Sequence, residues 1–320
     1  MGGKPLTFET GRLAKLAHGS ILVTYGESVV LVTAVATDER PGIDFFPLTC
    51  EYVEKTYAAG KIPGGFFKRE GRLRDFEVLA SRLMDRPLRP LFPEGFKKDT
   101  QVIATVLSSD KENPTDVLAM TGASAALSLS DIPWSGPIVG IRVARVDGEL
   151  IVYPTFDQTA SSDLDLVVAV TKDAIVMVEG GAEEATEADL IDALMFAHQQ
   201  AQPILDLIVR MQRAVGKPKR EFSIPKLDEA VARRVAEIVD AELKIACVIR
   251  EKKARYDRYA QLKLKLAEQL ASELGAERYL ELEKLVKHEF EERKAVVVRN
   301  MVLDEGRRID GRDTKTVRPI

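Results

Sequence analysis

The chain has 320 residues, 45% of them apolar and 30% charged, which is the composition of a folded globular protein of about two domains and excludes a disordered chain. Its formal net charge is −4, with 46 lysines and arginines against 50 acids, so any surface for a polyanion must be a local concentration of charge. Cys50 and Cys247 form no CxxC pair, so no disulfide framework or cysteine-built metal centre is expected, the cytoplasm is the expected compartment, and no apolar stretch approaches a membrane span.

From Phe8 to about Val215 the hydrophobic period changes repeatedly, as in a mixed α and β domain. Residues 20–36, "SILVTYGESVVLVTAVA", are two β-rich runs joined across Tyr25-Gly26-Glu27, which predicts a hairpin. A helix is expected from Phe76 to Leu88, with Leu79, Leu83 and Met84 at helical spacing. An alanine-rich helix over 115–129 is apolar on nearly every side and therefore belongs in an interior. Two further strand pairs turn at Asp147-Gly148 and at Lys172-Asp173. A long amphipathic helix runs from Thr186 to Val215, and its Pro203 is a place to kink or divide it.

After the linker-like "GKPKREFSIP" stretch, strand alternation disappears. Leu227, Val231, Val235, Ile238 and Val239 recur at helical spacing, as do Tyr259, Leu262, Leu266 and Leu270, and then Leu282, Val286 and Phe290. The organisation is therefore a mixed domain over 1–215, an all-helical domain over 216–303, and a polar, glycine-containing segment over 304–320 that reads as the opening of another domain.

Catalytic motifs are absent. His18, His198 and His288 have no metal-ligand spacing, and the chain has no GxSxG elbow, no GxxxxGK[ST] loop and no GxGxxG fingerprint. The one chemical oddity is "IPGGFFKREGR" at 62–72. Between Lys61 and Arg74 stand five cations, Lys61, Lys68, Arg69, Arg72 and Arg74, against one acid, Glu70. Arg82, Arg86 and Arg89 follow at spacings of four and three, which a helix places on one face. Guanidinium forks suit phosphate oxygens, and Phe66 and Phe67 offer rings on which bases can stack, a combination fitted to single-stranded RNA. The plainer alternative is that both rings fill a core while the cations face solvent or pair with Asp75, Glu77 and Asp85.

The continuous text "DFFPLTCEYVEKTYAAGKIPGGFFKREGRLRDFEVLASRLMDRPLRPLFPEGF", with "GASAALSLSDIPWSGPI" and the helical region in the same order, closely resembles the bacterial polynucleotide phosphorylase family. The resemblance implies an α+β ribonuclease PH-like core, with mixed sheets packed by helices, followed by a small all-α domain. In that family a second such core, a KH-type module and an oligonucleotide-binding barrel follow, and three chains form a ring with a central channel. The implied reaction shortens RNA from its 3′ end by transferring nucleotides to inorganic phosphate, giving nucleoside diphosphates, and it runs reversibly. Mg2+ or Mn2+ is the implied metal, with its ligands outside this chain. The implied partners are single-stranded RNA, phosphate, nucleoside diphosphates, two further copies of the chain and an RNA-degradation complex, with no membrane.

Residue by residue, the family's channel loop maps onto Phe66, Phe67, Lys68 and Arg69, with Lys68 where arginine is common, which keeps charge and loses the paired-donor geometry. Arg72, Arg82, Arg86 and Arg89 are expected to carry the RNA backbone. "RIDGRDTKTVRPI" resembles the start of the second core, the family's seat of catalysis. In the first core the positions of the phosphate-holding serines fall on Thr115 and Asp116, and Asp165 is kept while Val167 stands where a lysine would be. An aspartate at a helix start caps well but repels phosphate, and a carboxylate without its cation is a poor centre for phosphoryl transfer. The expectation is a degenerate copy, inactive by itself, retained for guiding RNA and building the ring. A non-catalytic RNA-binding scaffold subunit of an exosome-like ring is the alternative.

Overall fold

The computed structural model describes residues 2–40, 43, 45–64, 68–222 and 227–319. The chain divides into two compact units, Met1–Phe222 and Ser223–Ile320.

In the first unit β1 (Leu6–Glu9), β2 (Gly19–Tyr25), β3 (Ser28–Glu39), β4 (Leu48–Val53) and β5 (Lys98–Ser108) form one sheet in the order β1-β2-β3-β5-β4. Every pair in it is antiparallel except β4 with β5. Parallel neighbours need a crossover, and helix α1 (Asp75–Leu88) supplies it and packs back on β4. The second sheet is an antiparallel set in the order β7-β6-β8-β9, from β6 (Val139–Val146), β7 (Glu149–Val152), β8 (Leu164–Val170) and β9 (Ile175–Ala182).

The three hairpins form where turn chemistry places them. Gly26 at φ +60° joins β2 to β3, Asp147 and Gly148 at φ 51° and 80° join β6 to β7, and Thr171 to Ala174 closes the turn between β8 and β9. Helix α2 (Asp116–Leu129) lies against β2, β3 and β5 of one sheet, β6 of the other, and α1; every residue from Val117 to Leu129 is buried. Its small residues allow that closeness: a Cβ on Gly122 would stand 2.7 Å from Val32 Cγ2. Its hydroxyls are used internally, Ser124 accepting the Ile138 N–H and Thr121 the Gly140 N–H.

A short helix α3 (Phe156–Ala160) precedes β8, and α4 (Glu187–Val215) begins at a capping box of Thr186 and Asp189 and runs unbroken through Pro203. The face of α1 differs from the one the period predicts. Leu79 is 64% exposed, and the buried stripe carries Glu77 and Ser81 with Leu83, Met84, Pro87 and Leu88. Residues 216–222, read from sequence as linker, are fastened to the first unit. Lys219 Nζ donates to the carbonyls of Leu127, Ser128 and Ser130 at the end of α2, and Arg220 forks onto Asp131.

The second unit contains α5 (Glu229–Cys247), α6 (Lys252–Leu274) and α7 (Ala276–Glu305). Its core joins Val235, Val239 and Leu243 with Tyr259, Leu262, Leu266 and Leu270 and with Val286 and Phe290, the stripes set by helical spacing. Arg255 is buried among them and donates to the carbonyls of Ile249 and Arg250 in the preceding turn.

Candidate nucleic-acid interface

The basic stretch lies in the β4–α1 connection, and its base is tied at several points. Glu77, 1% exposed, accepts the N–H of Glu54 at 2.8 Å and the N–H of Arg74 at 2.7 Å. Burial pushes the Glu77 carboxyl up, but the hydrogen bonds from the Arg74 and Glu54 N–H groups outweigh it and hold the group below its ordinary value. Arg74 returns a guanidinium hydrogen bond to the Glu54 carbonyl and lies 4.4 Å over the Phe76 ring. Nearer the loop, Glu70 accepts from the Thr56 N–H at 2.9 Å and from Thr56 Oγ1 at 3.2 Å, while Lys55 donates to the Glu70 carbonyl.

The predicted site residues separate into three groups. Phe66 and Phe67 lie outside the described residues, so neither stacking nor core packing is decided for them. Lys68, Arg69, Arg72 and Arg82 are exposed and make no ion pair among the described residues. Arg86 and Arg89 are engaged. Arg86 pairs with Glu179 of β9, and Arg89 forks onto Asp85, 2.8 Å away at the closest, and donates to the carbonyls of Phe46 and Leu48. Of these three arginines, Arg82 is the one with no ion pair among the described residues.

The start of α2 is occupied from within. Tyr52, at the end of β4, donates its hydroxyl hydrogen to Glu54 Oε2 at 2.5 Å, and Thr115 Oγ1 lies 2.5 Å from the same hydroxyl as its donor. Burial, with Glu54 beside it, pushes the Tyr52 hydroxyl far above its ordinary range, so it stays protonated. Thr115 is itself buried. Asp116 does not cap from outside the helix; its Oδ1 accepts the N–H of Val117 at 2.8 Å, and its Oδ2 receives Arg142 at 2.7 Å.

Arg142 corrects the expectation that Asp165 stands without a cation. Its other terminal nitrogen donates to Asp165 Oδ2 at 2.8 Å, so one guanidinium bridges both carboxylates. The cation comes from β6, the neighbouring strand. In the register Arg142 faces Val167 and Ala144 faces Asp165, which makes Arg142 and Asp165 diagonal neighbours on one face, within reach of a long side chain. Burial raises the Asp165 carboxyl despite the opposing pull of Arg142, with Asp116 adding to the rise. The two carboxylates that would have to chelate a divalent ion already share Arg142, so these residues do not fit a metal. The helix start likewise offers phosphate one carboxylate and a hydroxyl turned away from it.

Sequence reasoning missed Arg142 and Tyr52; it named Glu77 and Asp85 as ion-pair partners, which Arg74 and Arg89 bear out, but not the backbone bracing by Glu70 and Glu77. The available signals were a lone arginine inside the apolar "VGIRVARV" strand and a single acid inside a run of cations.

Sequence profiles agree with the two-part fold. The 3′ exoribonuclease family matches with its domain 1 over residues 2–133 and its domain 2 over 136–200, and the polyribonucleotide nucleotidyltransferase RNA binding domain matches over 230–313. A polyribonucleotide nucleotidyltransferase of Sorangium cellulosum is 69% identical over the whole chain, which covers 42% of that protein. Those of Geobacter sulfurreducens and a Chelativorans species are 49% and 50% identical over the whole chain, covering 45% and 44% of theirs. The chain thus spans less than half the length of these relatives. The crystal structure of rice Rrp46 resembles 66% of this chain and 95% of its own with a TM-score of 0.54 at 15% identity, a likeness of fold. A ribonuclease PH-like α+β unit followed by three helices, matched over its whole length by relatives of one kind, places this chain in the polyribonucleotide nucleotidyltransferase family, as an N-terminal part.

Proposed function

We propose that this chain is the RNA-guiding, ring-building part of a phosphorolytic 3′-to-5′ exoribonuclease of the cytoplasm, working as a homotrimer with Mg2+. In the proposed reaction an oxygen of inorganic phosphate attacks the last phosphodiester phosphorus of the RNA. The bond to the preceding 3′ oxygen breaks, that oxygen takes a proton, and a nucleoside diphosphate leaves. The metal would supply charge neutralisation at the reacting phosphate, from ligands outside this chain.

The observation that carries the division of labour is the contrast between two places in the first unit. At the start of α2 the side chains in question already have partners, Thr115 with Tyr52 and both Asp116 and Asp165 with Arg142. At the β4–α1 connection and on α1, Lys68, Arg69, Arg72 and Arg82 are exposed and make no ion pair among the described residues. Four such cations neutralise phosphates along a strand without reading its sequence, and bases stacked on Phe66 and Phe67 would add roughly 1 to 3 kcal/mol each. The expected result is processive guidance of any single-stranded RNA, with bond breaking done elsewhere in the enzyme.

The test is release of nucleoside diphosphate from poly(A), with phosphate and Mg2+, by the 320-residue chain beside a longer chain that carries the second core. Silence from the short chain with activity from the long one supports the proposal. Phosphate-dependent release by the short chain refutes it and returns Thr115, Asp116 and Asp165 to catalysis. Alanine at Phe66 and Phe67 should weaken RNA binding with the melting temperature nearly unchanged; loss of folding instead makes the rings core.

A further inference from the structure

We propose that Glu70 is the positioning residue of the basic loop, a clasp that closes the loop's base on Thr56 and thereby holds Lys68, Arg69 and Arg72 in place for RNA; this rests on the RNA-guiding reading above. Glu70 is the one acid in the run from Lys61 to Arg74, and simple electrostatics makes it a defect there, since it opposes a polyanion. Its carboxylate makes no ion pair with any described cation of the loop. It turns instead to the opposite end of the connection, where both oxygens are used, Oε1 by the Thr56 N–H at 2.9 Å and Oε2 by Thr56 Oγ1 at 3.2 Å.

The tie has physical weight. Thr56 opens a short 3-10 turn, Thr56–Ala59, whose preceding residue Lys55 contributes no side-chain cap. Glu70 supplies that cap from across the loop, an anion at the positive end of a turn, with charge-assisted hydrogen bonds. Lys55 Nζ donates to the Glu70 carbonyl at 3.0 Å, and the Lys61 N–H reaches the Thr56 carbonyl at 3.0 Å, so both limbs of the loop converge on one turn. Behind them Glu77 and Arg74 brace Glu54. Lys61 on one side and Glu70 on the other are thus both tied to Thr56 before any ligand arrives. A loop with fixed ends loses less entropy on binding than one with free ends.

Charge and geometry predict opposite signs, which makes the clasp testable in the 320-residue chain. Glu70→Asp keeps the charge and shortens the reach by one methylene. Glu70→Gln drops the charge and keeps an oxygen for the Thr56 N–H. Glu70→Ala removes both. A fluorescent oligoadenylate is titrated at fixed salt, and trypsin cleavage after Lys68, Arg69 and Arg72 is timed under native conditions. The expected result is RNA binding weakened about five-fold in the Asp and Ala variants, with loop cleavage about ten-fold faster, while the Gln variant binds as well as the parent or better. Asp binding like the parent, or Ala binding more tightly with unchanged cleavage, overturns the clasp. If the Ala variant does not fold, the Asp and Gln pair decides by the same signs. Lys68→Ala with Arg69→Ala separates the two ideas. No loss of RNA binding in that variant sinks the RNA-guiding reading itself, and a loss there without one in the Asp variant sinks only the clasp.

Discussion

Replacing Arg142 by methionine tests the bridge between Asp116 and Asp165. In the parent one guanidinium meets Asp116 Oδ2 at 2.7 Å and Asp165 Oδ2 at 2.8 Å, while Asp165 Oδ1 and Arg142 Nε have no hydrogen-bond partner among the described residues; the side chains are 17% exposed for the arginine and 23% and 31% for the acids. Methionine preserves most of the volume but leaves two half-buried carboxylates facing each other. Removing one partner of a fully buried pair costs about 3 to 5 kcal/mol, and the remaining exposure here lets water recover part of it, so a loss of about 2 to 3 kcal/mol is expected at pH 7.5. For a unit of this size that lowers the melting temperature by about 4 to 10 °C. Trp134 is the only tryptophan, is buried in the first unit, and donates to the Leu88 carbonyl, so its fluorescence in urea reports that unit alone. The pH dependence follows from Asp165, which burial already raises. Without Arg142 its folded-state pKa rises further above the unfolded one, the folded state binds more protons, and the variant's deficit shrinks as pH falls from 7.5 toward 5.5. Adding Asp116→Asn and Asp165→Asn should recover most of the loss at pH 7.5. A variant within about 0.5 kcal/mol of the parent, or a deficit equal at both pH values, would refute the account of a charge-balancing bridge.

The other predictions separate structural from RNA-facing roles. Arg82→Ala should weaken RNA binding and flatten its salt dependence with little change in stability, whereas Arg89→Ala, which strips Asp85 and two backbone carbonyls of their partner, should lower stability by about 1 to 2 kcal/mol in urea unfolding. Because Glu77 is held below its ordinary value in the folded state, it stabilises above about pH 4.3 and loses that contribution as pH falls through its folded pKa; Glu77→Gln should flatten the acid limb of the stability profile. A Cβ at position 19 would stand 2.0 Å from the Ala126 carbonyl oxygen, backbone that cannot yield cheaply, so Gly19→Ala should destabilise the first unit by more than about 2 kcal/mol while leaving the helical unit's circular dichroism intact. Leu266→Ala, buried between helices, should cost the helical unit about 2 to 5 kcal/mol with no shift in the Trp134 transition.

Local chemistry was legible in the order of residues. The glycine at 26, the Asp147-Gly148 pair and the Thr186 capping box act within a few residues of themselves, so the hairpins and the start of α4 follow from text alone. The stripes of α5, α6 and α7 are equally local, because 3.6 residues per turn fixes which side chains share a face. The apolar run of α2 foretold its burial, though not the two sheets that bury it. The face of α1 was misread because Leu79 looks like core and Glu77 and Ser81 look like surface. Ser81 is buried by accepting the Tyr52 N–H, and Glu77 by accepting two N–H groups at the loop's base, partners that lie on β4 and beyond it.

The candidate site divides along the same line. Its cationic character, the aromatic pair, and Thr115, Asp116 and Val167 at their positions are properties of residue identity, and the sequence by itself determined them. Which cations remain available was decided by tertiary structure, because Arg86 and Arg89 met partners on β9 and β4 while Arg82 met none among the described residues. The same holds for the closed centre at α2. Asp116 and Asp165 lie 26 and 23 residues from Arg142 in the chain, and it takes the pairing of β6 with β8 together with the packing of α2 on β6 to bring one guanidinium between the two carboxylates. Side-chain period is a local property, whereas strand pairing is a choice among distant partners made by the burial of the whole core.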